Sequence, residues 1–139
     1  MSDAKIPESH AHILTSKALL HLALTLKDGT PHVSPIWFDT EDDLIRINSA
    51  TGRLKDRVMR MRPAVAVSIV DLKNPYCYIG IRGKVVEITE EGAAAHIDGL
   101  AKKYLGHDVY SGYQPGVARV IYKIRPEKIF ARGTPPALK

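Results

Sequence analysis

The chain has 139 residues, of which 45% are hydrophobic and 25% are charged, the composition of one ordinary globular domain. No stretch approaches the roughly 20 apolar residues of a membrane span, the first residues lack the order of a secretory signal, and the one cysteine, Cys77, cannot form an internal disulfide. We therefore expect a single cytoplasmic domain over residues 1–139 with no membrane partner. The net charge of +5 favours an anionic partner, whereas an aromatic content of 6% argues against nucleic acid.

The first predicted elements are a short helix over Glu8 to Lys17 and a strand in which every second residue from Leu20 to Leu26 is leucine. Asp28-Gly29 is a strong hairpin signal, so the next strand should run antiparallel to the first. Pro35 interrupts this second strand. Since proline cannot donate a hydrogen bond to a ladder, residues 33–38 should lie at an edge, a bulge or a crossing point.

A second turn, "DTEDD", leads into a third strand, "LIRINSA", and then into a basic helix for which Thr51 is the predicted N-cap. Within this helix Leu54, Val58 and Met61 recur at the spacing of one helix face, which predicts an apolar stripe against the core. A fourth strand follows over Ala64 to Asp71, because β-branched residues are frequent there.

A long fifth strand over Tyr76 to Ile88 contains two glycines, which predict the bend or bulge that a barrel requires. A second helix over Glu90 to about Leu105 follows, and "RVIYKIRPEKIFAR" supplies one or two closing strands broken at Pro126. This order predicts a mainly β fold of six to seven antiparallel strands with peripheral helices, and a small barrel would remove exposed strand edges. The predicted buried face of the second helix consists of Ala93, Ile97, Leu100, Ala101 and Tyr104.

The start of the basic helix is the strongest candidate for a binding site. The Thr51 hydroxyl, the Gly52 backbone, the free N–H groups of a first helical turn, and the cations Arg53 and Lys55 would together suit a phosphate. A solvated charged face is the structural alternative. A helix that reads a nucleic-acid groove is disfavoured, because one face is predicted to pack on the core and no helix-turn-helix partner precedes it.

Two aromatic segments are further candidates. In "HVSPIWF" the single tryptophan, Trp37, closely follows Ser34 and Pro35, and the unpaired backbone groups of a bulged strand could read the edge of a planar heterocycle. A core tryptophan at a barrel corner explains the same pattern equally well. Tyr76 and Tyr78 share one strand face and could serve an interface, a stacked ligand or simple packing.

Several enzyme classes lack support in the sequence. The six histidines have no cysteine or carboxylate partner at a known metal spacing, so we predict structural or solvated histidines and no metal site. No G-x-S-x-G, Walker or G-x-G-x-x-G pattern occurs, which leaves hydrolase, NTPase and Rossmann functions unsupported. Cys77 lies in a predicted strand and is interpreted as a buried small hydrophobe.

The chain resembles the split β-barrel family of flavin- and deazaflavin-binding proteins related to pyridoxamine 5′-phosphate oxidase. The resemblance covers nearly the whole chain, through "DGTPHVSPIWF", "TGRLKDRVMRMRP", "NPYCYIGIRGKVVEITEEGAAAHIDGLAKKYLG" and "VIYKIRPEKI". Within the family the chain is most similar to the small oxidoreductases that use the deazaflavin coenzyme F420. The resemblance implies a split antiparallel β-barrel that forms a homodimer with two cofactor sites at the subunit interface.

The resemblance also implies roles for individual residues. The basic segment would hold the cofactor phosphate, "SPIWF" would line the ring system, and the partner subunit would contribute aromatic residues of the fifth strand. Arg60 and Arg62 would steer the acidic oligoglutamate tail of the deazaflavin. Relatives commonly have Asn-x-x-Arg-Asp-Pro where this chain has "VMRMRP", so no direct contact is transferred beyond Arg57. The residues predicted to bind the cofactor are Ser34, Pro35, Ile36, Trp37, Ser49, Thr51, Arg53, Lys55, Arg57, Tyr76 and Tyr78.

The implied reaction is hydride transfer from reduced F420 to a small electrophile such as an enone, a quinone or a tetrapyrrole. No residue is an obvious proton donor, so the proton would come from water or from a tyrosine such as Tyr110. FMN is the alternative cofactor, because the same phosphate site suits both. A deazaflavin carrier without turnover is a further alternative. Oxidation of pyridoxamine phosphate itself is not expected, since the chain is short and has no additional segment for the phosphate of that substrate.

Overall fold

The computed structural model describes residues 4–133 as a seven-stranded antiparallel sheet with a few short helices. The helices are a 3-10 helix, Glu8–Thr15, together with α1 (Leu54–Met61) and α2 (Ala93–Leu105). The sheet has the order β2-β1-β5-β6-β7-β4-β3, so the predicted mainly β fold of six to seven strands is confirmed. The strands are β1 (Leu20–Thr25), β2 (Pro31–Ile36), β3 (Asp39–Glu41), β4 (Leu44–Ala50), β5 (Ala64–Val70), β6 (Tyr78–Thr89) and β7 (Arg119–Arg132).

One hydrophobic core gathers side chains from strands that lie far apart in the sheet order. Alternation along β1 buries Leu20, Leu22 and Leu24 and leaves His21 exposed, as the leucine pattern predicts. The same core contains Ile47 of β4 and side chains of β5, β6 and β7. Since three strands separate β1 from β4 in the sheet, their side chains share one core because the sheet curves around it.

The long strands β6 and β7 are bent by two irregularities in their pairing. At the first, Pro126 faces Gly83, and β7 continues through the proline as one strand. A Cβ atom on Gly83 would collide with the carbonyl oxygen of Arg125, so the close approach of the two backbones requires glycine. The predicted bend is therefore confirmed, and the closing segment is a single strand.

The two edge strands differ in how well the sequence predicts them. β2 forms a hairpin with β1 and is the last strand at its end of the sheet, so the edge position predicted for Pro35 is confirmed. At the other end of the sheet, Asp39–Glu41 form the short strand β3. The sequence predicts a turn for these residues, and that prediction is wrong. The turn itself is shorter and includes Asp42 at a positive φ of 55°. Ion pairs from Arg46 to Asp39 and Glu41 hold the short strand in place.

α1 differs from the prediction in its start and in its buried face. It begins at Leu54 with no side-chain cap, because the Thr51 hydroxyl donates instead to the Ala118 carbonyl across the turn, at 2.9 Å. The predicted N-cap at Thr51 is therefore wrong. The predicted apolar stripe is wrong in part: Val58 is buried, whereas Leu54 and Met61 are 38% and 72% exposed.

A buried carboxylate on α1 explains this orientation. Asp56, only 3% exposed, accepts hydrogen bonds from the Tyr122 hydroxyl (2.6 Å), the Gly52 backbone N–H (3.0 Å) and the Arg60 side chain (2.9 Å). Burial alone would raise the pKa of Asp56, but these hydrogen bonds outweigh burial and lower the pKa below its ordinary value. Gly52 has a φ of +85°, the left-handed region that favours glycine, and its N–H fixes the turn to the helix that follows.

α2 begins at Ala93, three residues after the predicted start, and it buries four residues of the predicted face, Ala93, Ile97, Leu100 and Ala101, whereas Tyr104 is half-buried. The N-terminal helix is a 3-10 helix that ends at Thr15, two residues before the predicted end. Within residues 4–133, no helix has both the length and the apolar character needed to span a membrane.

Candidate functional site

A cleft of about 460 Å³ opens between β2, β4, the start of α1 and one face of α2. The segment between α2 and β7 adds Tyr110 to the rim. The cleft joins two segments that the sequence singles out separately, "SPIWF" and the basic stretch. Its lining residues are Leu19, Pro35, Ile36, Trp37, Asn48, Ser49, Arg53, Lys55, Ile97, Leu100, Tyr110 and Arg119.

Three cations line the cleft, Arg53, Lys55 and Arg119. No acidic residue within 4–133 forms an ion pair with any of them. Burial lowers the pKa of Lys55, and the positive charge of Arg53 lowers it further. Burial also lowers the pKa of Arg119, with Tyr110 opposing the shift and Arg53 adding to it. Lys55 and Arg119 are partly dehydrated, Arg53 repels both, and no carboxylate pairs with any of the three, so the cluster favours an anion with several oxygens, such as a phosphate.

A buried hydrogen-bond chain positions Arg119. Its Nε donates to Oδ1 of Asn48 (2.9 Å), and Nδ2 of Asn48 donates to Nδ1 of His96 (3.1 Å). This places the imidazole proton on Nε2, which donates to Asp39 at 2.9 Å. Burial would raise the pKa of Asp39, but the hydrogen bonds from His96 and Arg46 outweigh it and hold the pKa below its ordinary value. The neutral amide of Asn48 thus orients the Arg119 guanidinium in the cleft. The carboxylate of Asp39 does not touch Arg119, because His96 and Asn48 lie between them in the hydrogen-bond chain.

The apolar wall of the cleft is aromatic. The Trp37 ring stacks on Tyr104 of α2 with a centroid distance of 5.3 Å and an interplanar angle of 6°. Tyr110 meets Trp37 edge to face at 6.1 Å, and the Arg119 guanidinium lies 5.1 Å from the centre of the Tyr110 ring. Trp37 is therefore both packed against α2 and part of the cleft surface, which combines the two interpretations of its sequence pattern.

The rim segment is held against α2 by one carboxylate. The Tyr110 backbone N–H donates to Asp98 (2.8 Å), and the Tyr113 hydroxyl contacts Asp98 (3.2 Å) and the carbonyl of Ala94 (3.0 Å). Burial, and then the negative charge of Asp98, raise the pKa of Tyr113. Burial also raises the pKa of Tyr104 to about 12. Both groups stay protonated at neutral pH, and their hydroxyls donate to fixed acceptors.

The inward face of β2 carries polar atoms that lack partners. Oγ of Ser34 and Nδ1 of His32 are buried, and no group within the described range reaches either atom at hydrogen-bond distance. Ser34 is two residues before Ile36 and so shares its strand face. Since buried polar atoms in folded proteins are nearly always hydrogen-bonded, these two mark a place where a ligand or water completes the structure.

The predicted cofactor-binding residues do not all meet in this cleft. The ones that line it are Pro35, Ile36, Trp37, Ser49, Arg53 and Lys55. Thr51 is engaged with Ala118, and Arg57 lines a separate groove with Leu54 and Met61. Tyr78 begins β6 and Tyr76 lies two residues before it; both are outside the cleft of their own chain and are 36% and 80% exposed. The binding roles of the whole set remain predictions.

Two polar lining residues, Asn48 and Arg119, were not predicted as site residues from the sequence. They are 71 residues apart in the chain and meet because β4 pairs with β7, with Ala50 opposite Arg119. The available signal was a cation directly before the apolar run "VIYKI", at the predicted start of a strand. That signal acquires meaning only when the strand pairing is known.

Residues 6–133 match the family model described as pyridoxamine 5′-phosphate oxidase. The chain belongs to the pyridoxamine 5′-phosphate oxidase family. This membership confirms the split-barrel fold that the resemblance implied. No curated protein sequence matches this family member.

Solved structures of the same fold include proteins of several descriptions. An F420 reductase is 32% identical to this member of the pyridoxamine 5′-phosphate oxidase family, with a TM-score of 0.81 over 90% of this chain and 98% of that one. A FAD-binding protein from Mesorhizobium loti is 22% identical, with a TM-score of 0.63 over 90% and 92%. General Stress Protein 26 from Bacillus anthracis is 20% identical, with a TM-score of 0.67 over 92% and 94%. The last two likenesses show the fold alone.

Proposed function

We propose that the protein is an oxidoreductase that binds coenzyme F420 in the cleft and passes hydride from the reduced deazaflavin to a small electrophile, such as an enone, a quinone or a tetrapyrrole. The observation that carries the proposal is the cluster of unneutralised cations, Arg53, Lys55 and Arg119, beside an aromatic and apolar wall. A phosphorylated cofactor with a planar ring requires both features in one site.

The residues of the cleft fit such a group. Arg53 and Lys55 would bind the phosphate, with Arg119 oriented toward the same charge by Asn48. Trp37 and the strand segment before it would line the ring, since an edge strand offers unpaired backbone groups along its outer side. The unpartnered Ser34 hydroxyl supports a polar contact from the same strand.

When bound, the reduced deazaflavin would supply the hydride, and the chain itself would bind, orient and shield. Ile97 and Leu100 of α2 would exclude water from one wall of the cleft, and Trp37 would do so from another. Tyr110 at the rim is the proton donor that we propose, with solvent water as the alternative. Its backbone is fixed to Asp98, so its ring is held at the mouth of the cleft.

F420 is favoured over FMN by the 32% identical F420 reductase and by basic residues beyond the cleft. Arg57 and Arg62 line the neighbouring groove on α1 and carry no ion pair within residues 4–133, so both suit the acidic tail of the deazaflavin. Arg60 suits it less, because Asp56 already holds its guanidinium at 2.9 Å. FMN remains the alternative cofactor, since a phosphate and a planar ring describe it as well.

We further propose that the active form is a homodimer whose partner subunit supplies Tyr76 and Tyr78. Exposed apolar side chains on β2 and α1 support an interface, among them Val33 at 65% and Met61 at 72% exposed. Light scattering coupled to size-exclusion chromatography would measure the mass directly. A monomer at micromolar concentration would contradict the proposed arrangement.

The experiment that tests the cofactor is a pair of titrations of the full chain, one with F420 and one with FMN, followed by tryptophan fluorescence. Trp37 is the single tryptophan and lines the cleft, so its emission reports on this site. Tighter binding of F420 would support the proposal. Tighter binding of FMN would keep the site but move the chemistry to flavin redox, and binding of neither would overturn both.

Turnover separates an oxidoreductase from a cofactor carrier. Reduced F420 and the protein would be mixed with a panel of enones, quinones and tetrapyrroles while the absorbance of oxidised F420 is recorded. Reduction of any acceptor beyond the rate without protein supports the enzyme. Equal affinity for both redox states with no acceptor reduced would favour a carrier.

A further inference from the structure

A second cluster of functional groups lies between the 3-10 helix and the connection from β5 to β6. An imidazole nitrogen of His12, a carboxylate oxygen of Asp71 and Sγ of Cys77 all lie within 4.8 Å of one another. None of these residues lines the cofactor cleft. His12 precedes Asp71 and Cys77 by 59 and 65 residues, so the three residues form no recognisable metal-binding spacing in the sequence.

The connection between β5 and β6 is folded so that two of these residues face each other. The Asp71 backbone N–H donates to the carbonyl of Cys77 (2.9 Å), and the Cys77 N–H donates to the carbonyl of Asn74 (2.9 Å). These bonds close a tight turn that brings the carboxylate and the thiol together before any ligand arrives. A preformed pair of ligands lowers the cost of ordering them around a metal ion.

The carboxylate of Asp71 is incompletely satisfied. Its side chain is 6% exposed, its Oδ1 accepts a weak hydrogen bond from the Lys73 N–H (3.3 Å), and its Oδ2 accepts none within the described residues. Nε2 of His12 lies 3.5 Å from Oδ2, beyond ordinary hydrogen-bond distance. A buried carboxylate oxygen without a donor requires a compensating positive charge or neutralisation.

We propose that His12, Asp71 and Cys77 form a binding site for a divalent transition metal of the zinc type, with the fourth position open to solvent. Nitrogen, oxygen and sulfur ligands together match the preference of Zn²⁺ and Co²⁺ over Mg²⁺ and Ca²⁺. Zinc bonds of about 2.0 to 2.3 Å place tetrahedral ligands about 3.3 to 3.8 Å apart. The separations in the cluster therefore need to shorten by up to about 1.5 Å, and the His12 side chain, 43% exposed, has room to move inward.

The exposed imidazole also gives the metal a path to the buried thiol. Burial, and then the negative charge of Asp71, raise the pKa of Cys77, so the thiol is protonated without a metal. On binding, the Sγ–metal bond forms, the S–H bond breaks and the proton leaves to solvent. The ion also places a positive charge next to Oδ2 of Asp71, which accepts no hydrogen bond within the described residues.

Cobalt binding tests the site on the full chain without a polyhistidine tag. Cys77 is the only cysteine, so a thiolate-to-cobalt charge-transfer band in the near ultraviolet can arise only from its Sγ. We expect the band to appear with one equivalent of Co²⁺ and to disappear when Zn²⁺ is added. No band at saturating Co²⁺ would overturn the proposal, whatever cofactor the cleft binds.

Two variants and one control sharpen this test. Cys77→Ser should abolish the band. His12→Gln, at a half-exposed position, should lower Zn²⁺ affinity at least about tenfold, the loss that even outer-shell changes cause. His107→Gln removes an exposed histidine elsewhere and should bind Zn²⁺ like the wild type. Equal affinity of His12→Gln and wild type, or an equal loss in His107→Gln, would overturn the assignment.

Discussion

Two basic regions of this protein use the same residue types for different purposes. Where β3, β4 and β7 meet, Arg46 is paired with Asp39 at 2.7 Å and Lys123 with Glu41 at 2.9 Å. The hydrogen bonds that Arg46 donates to Asp39 raise the pKa of Arg46, and the one that Lys123 donates to Glu41 raises the pKa of Lys123. In the cleft the pKa of Lys55 is lowered instead, because burial and a neighbouring cation act without a carboxylate.

The difference teaches how to separate structural charge from charge kept for a ligand. A cation whose pKa is raised by acids of its own chain is already neutralised and holds strands together. Lys55 and Arg119 are partly buried cations with lowered pKa values and no ion pair within the described residues, so an anionic ligand would supply the compensating charge. The paired corner, formed by the ion pairs Arg46–Asp39 and Lys123–Glu41, is connected to the cleft by hydrogen bonds. These run from Asp39 through His96 and Asn48 to Arg119, so the paired corner also helps to orient the Arg119 guanidinium.

The largest expected effect comes from removing cleft charge. The double variant Arg53→Gln with Lys55→Gln should weaken F420 binding by about 100-fold or more, equivalent to about 2.7 kcal/mol, because two charge-assisted contacts are lost. Its melting temperature should equal or exceed that of the wild type, since no ion pair within the described residues is broken. Trp37 fluorescence titration and thermal unfolding measure the two quantities.

A matched control removes one lysine and one arginine elsewhere. Lys102→Gln with Arg125→Gln deletes two exposed charges that lie outside the cleft. It should leave F420 affinity within about twofold, as expected for weak, screened surface charges. Similar losses in both double variants would show that net charge, and not the cleft, attracts the cofactor.

A smaller effect is expected from breaking the paired corner. Asp39→Asn removes the negative charge of the carboxylate that accepts hydrogen bonds from both Arg46 and His96. It should lower the free energy of unfolding by about 2 kcal/mol at neutral pH. Because the pKa of Asp39 is lowered from 3.8 on folding, its contribution is complete above that value and is lost as pH falls through the folded-state pKa. The stability gap between variant and wild type should therefore close in acid.

Urea unfolding at several pH values measures this gap. Asp43→Asn, on the exposed turn that follows β3, is the control and should change stability by less than about 0.5 kcal/mol at every pH. A gap for Asp39→Asn that stays constant down to the acid limit would show that shape, rather than charge, explains the loss.

The sequence predicts the local features of this fold well. The leucine alternation identified the buried face of β1, the Asp28-Gly29 pair identified the β1–β2 hairpin, and Pro35 marked an edge strand. These succeed because strand periodicity and turn chemistry depend on neighbouring residues alone. β3 was missed because its acids resemble a turn until Arg46 pairs with them.

Features that depend on distant contacts were predicted less well. The Ala118 carbonyl accepts the hydrogen bond of the Thr51 hydroxyl, and this contact helps to set where α1 begins. The Tyr122 hydroxyl donates to Asp56, and this contact sets which face of α1 is buried. Neither partner is recognisable from the helix sequence. Arg119 reaches the cleft only through the pairing of β4 with β7, so two of the three cleft cations were predicted from sequence and the third required the fold.

The smallest expected effect is a gain in stability. In the free protein Lys55→Met should raise the free energy of unfolding by up to about 0.5 kcal/mol at neutral pH, because a partly buried cation next to Arg53 is removed. The folded-state pKa of Lys55 lies below its ordinary 10.5, so its penalty is complete below the folded pKa and vanishes above 10.5, where lysine is neutral in both states. The advantage of the variant should therefore shrink as the pH rises, whereas Lys55→Arg, which keeps the charge, should show no gain at neutral pH. If Lys55→Met is no more stable than Lys55→Arg, the cleft cations do not repel one another, and the contrast with the paired corner fails at the point where it is most directly measured.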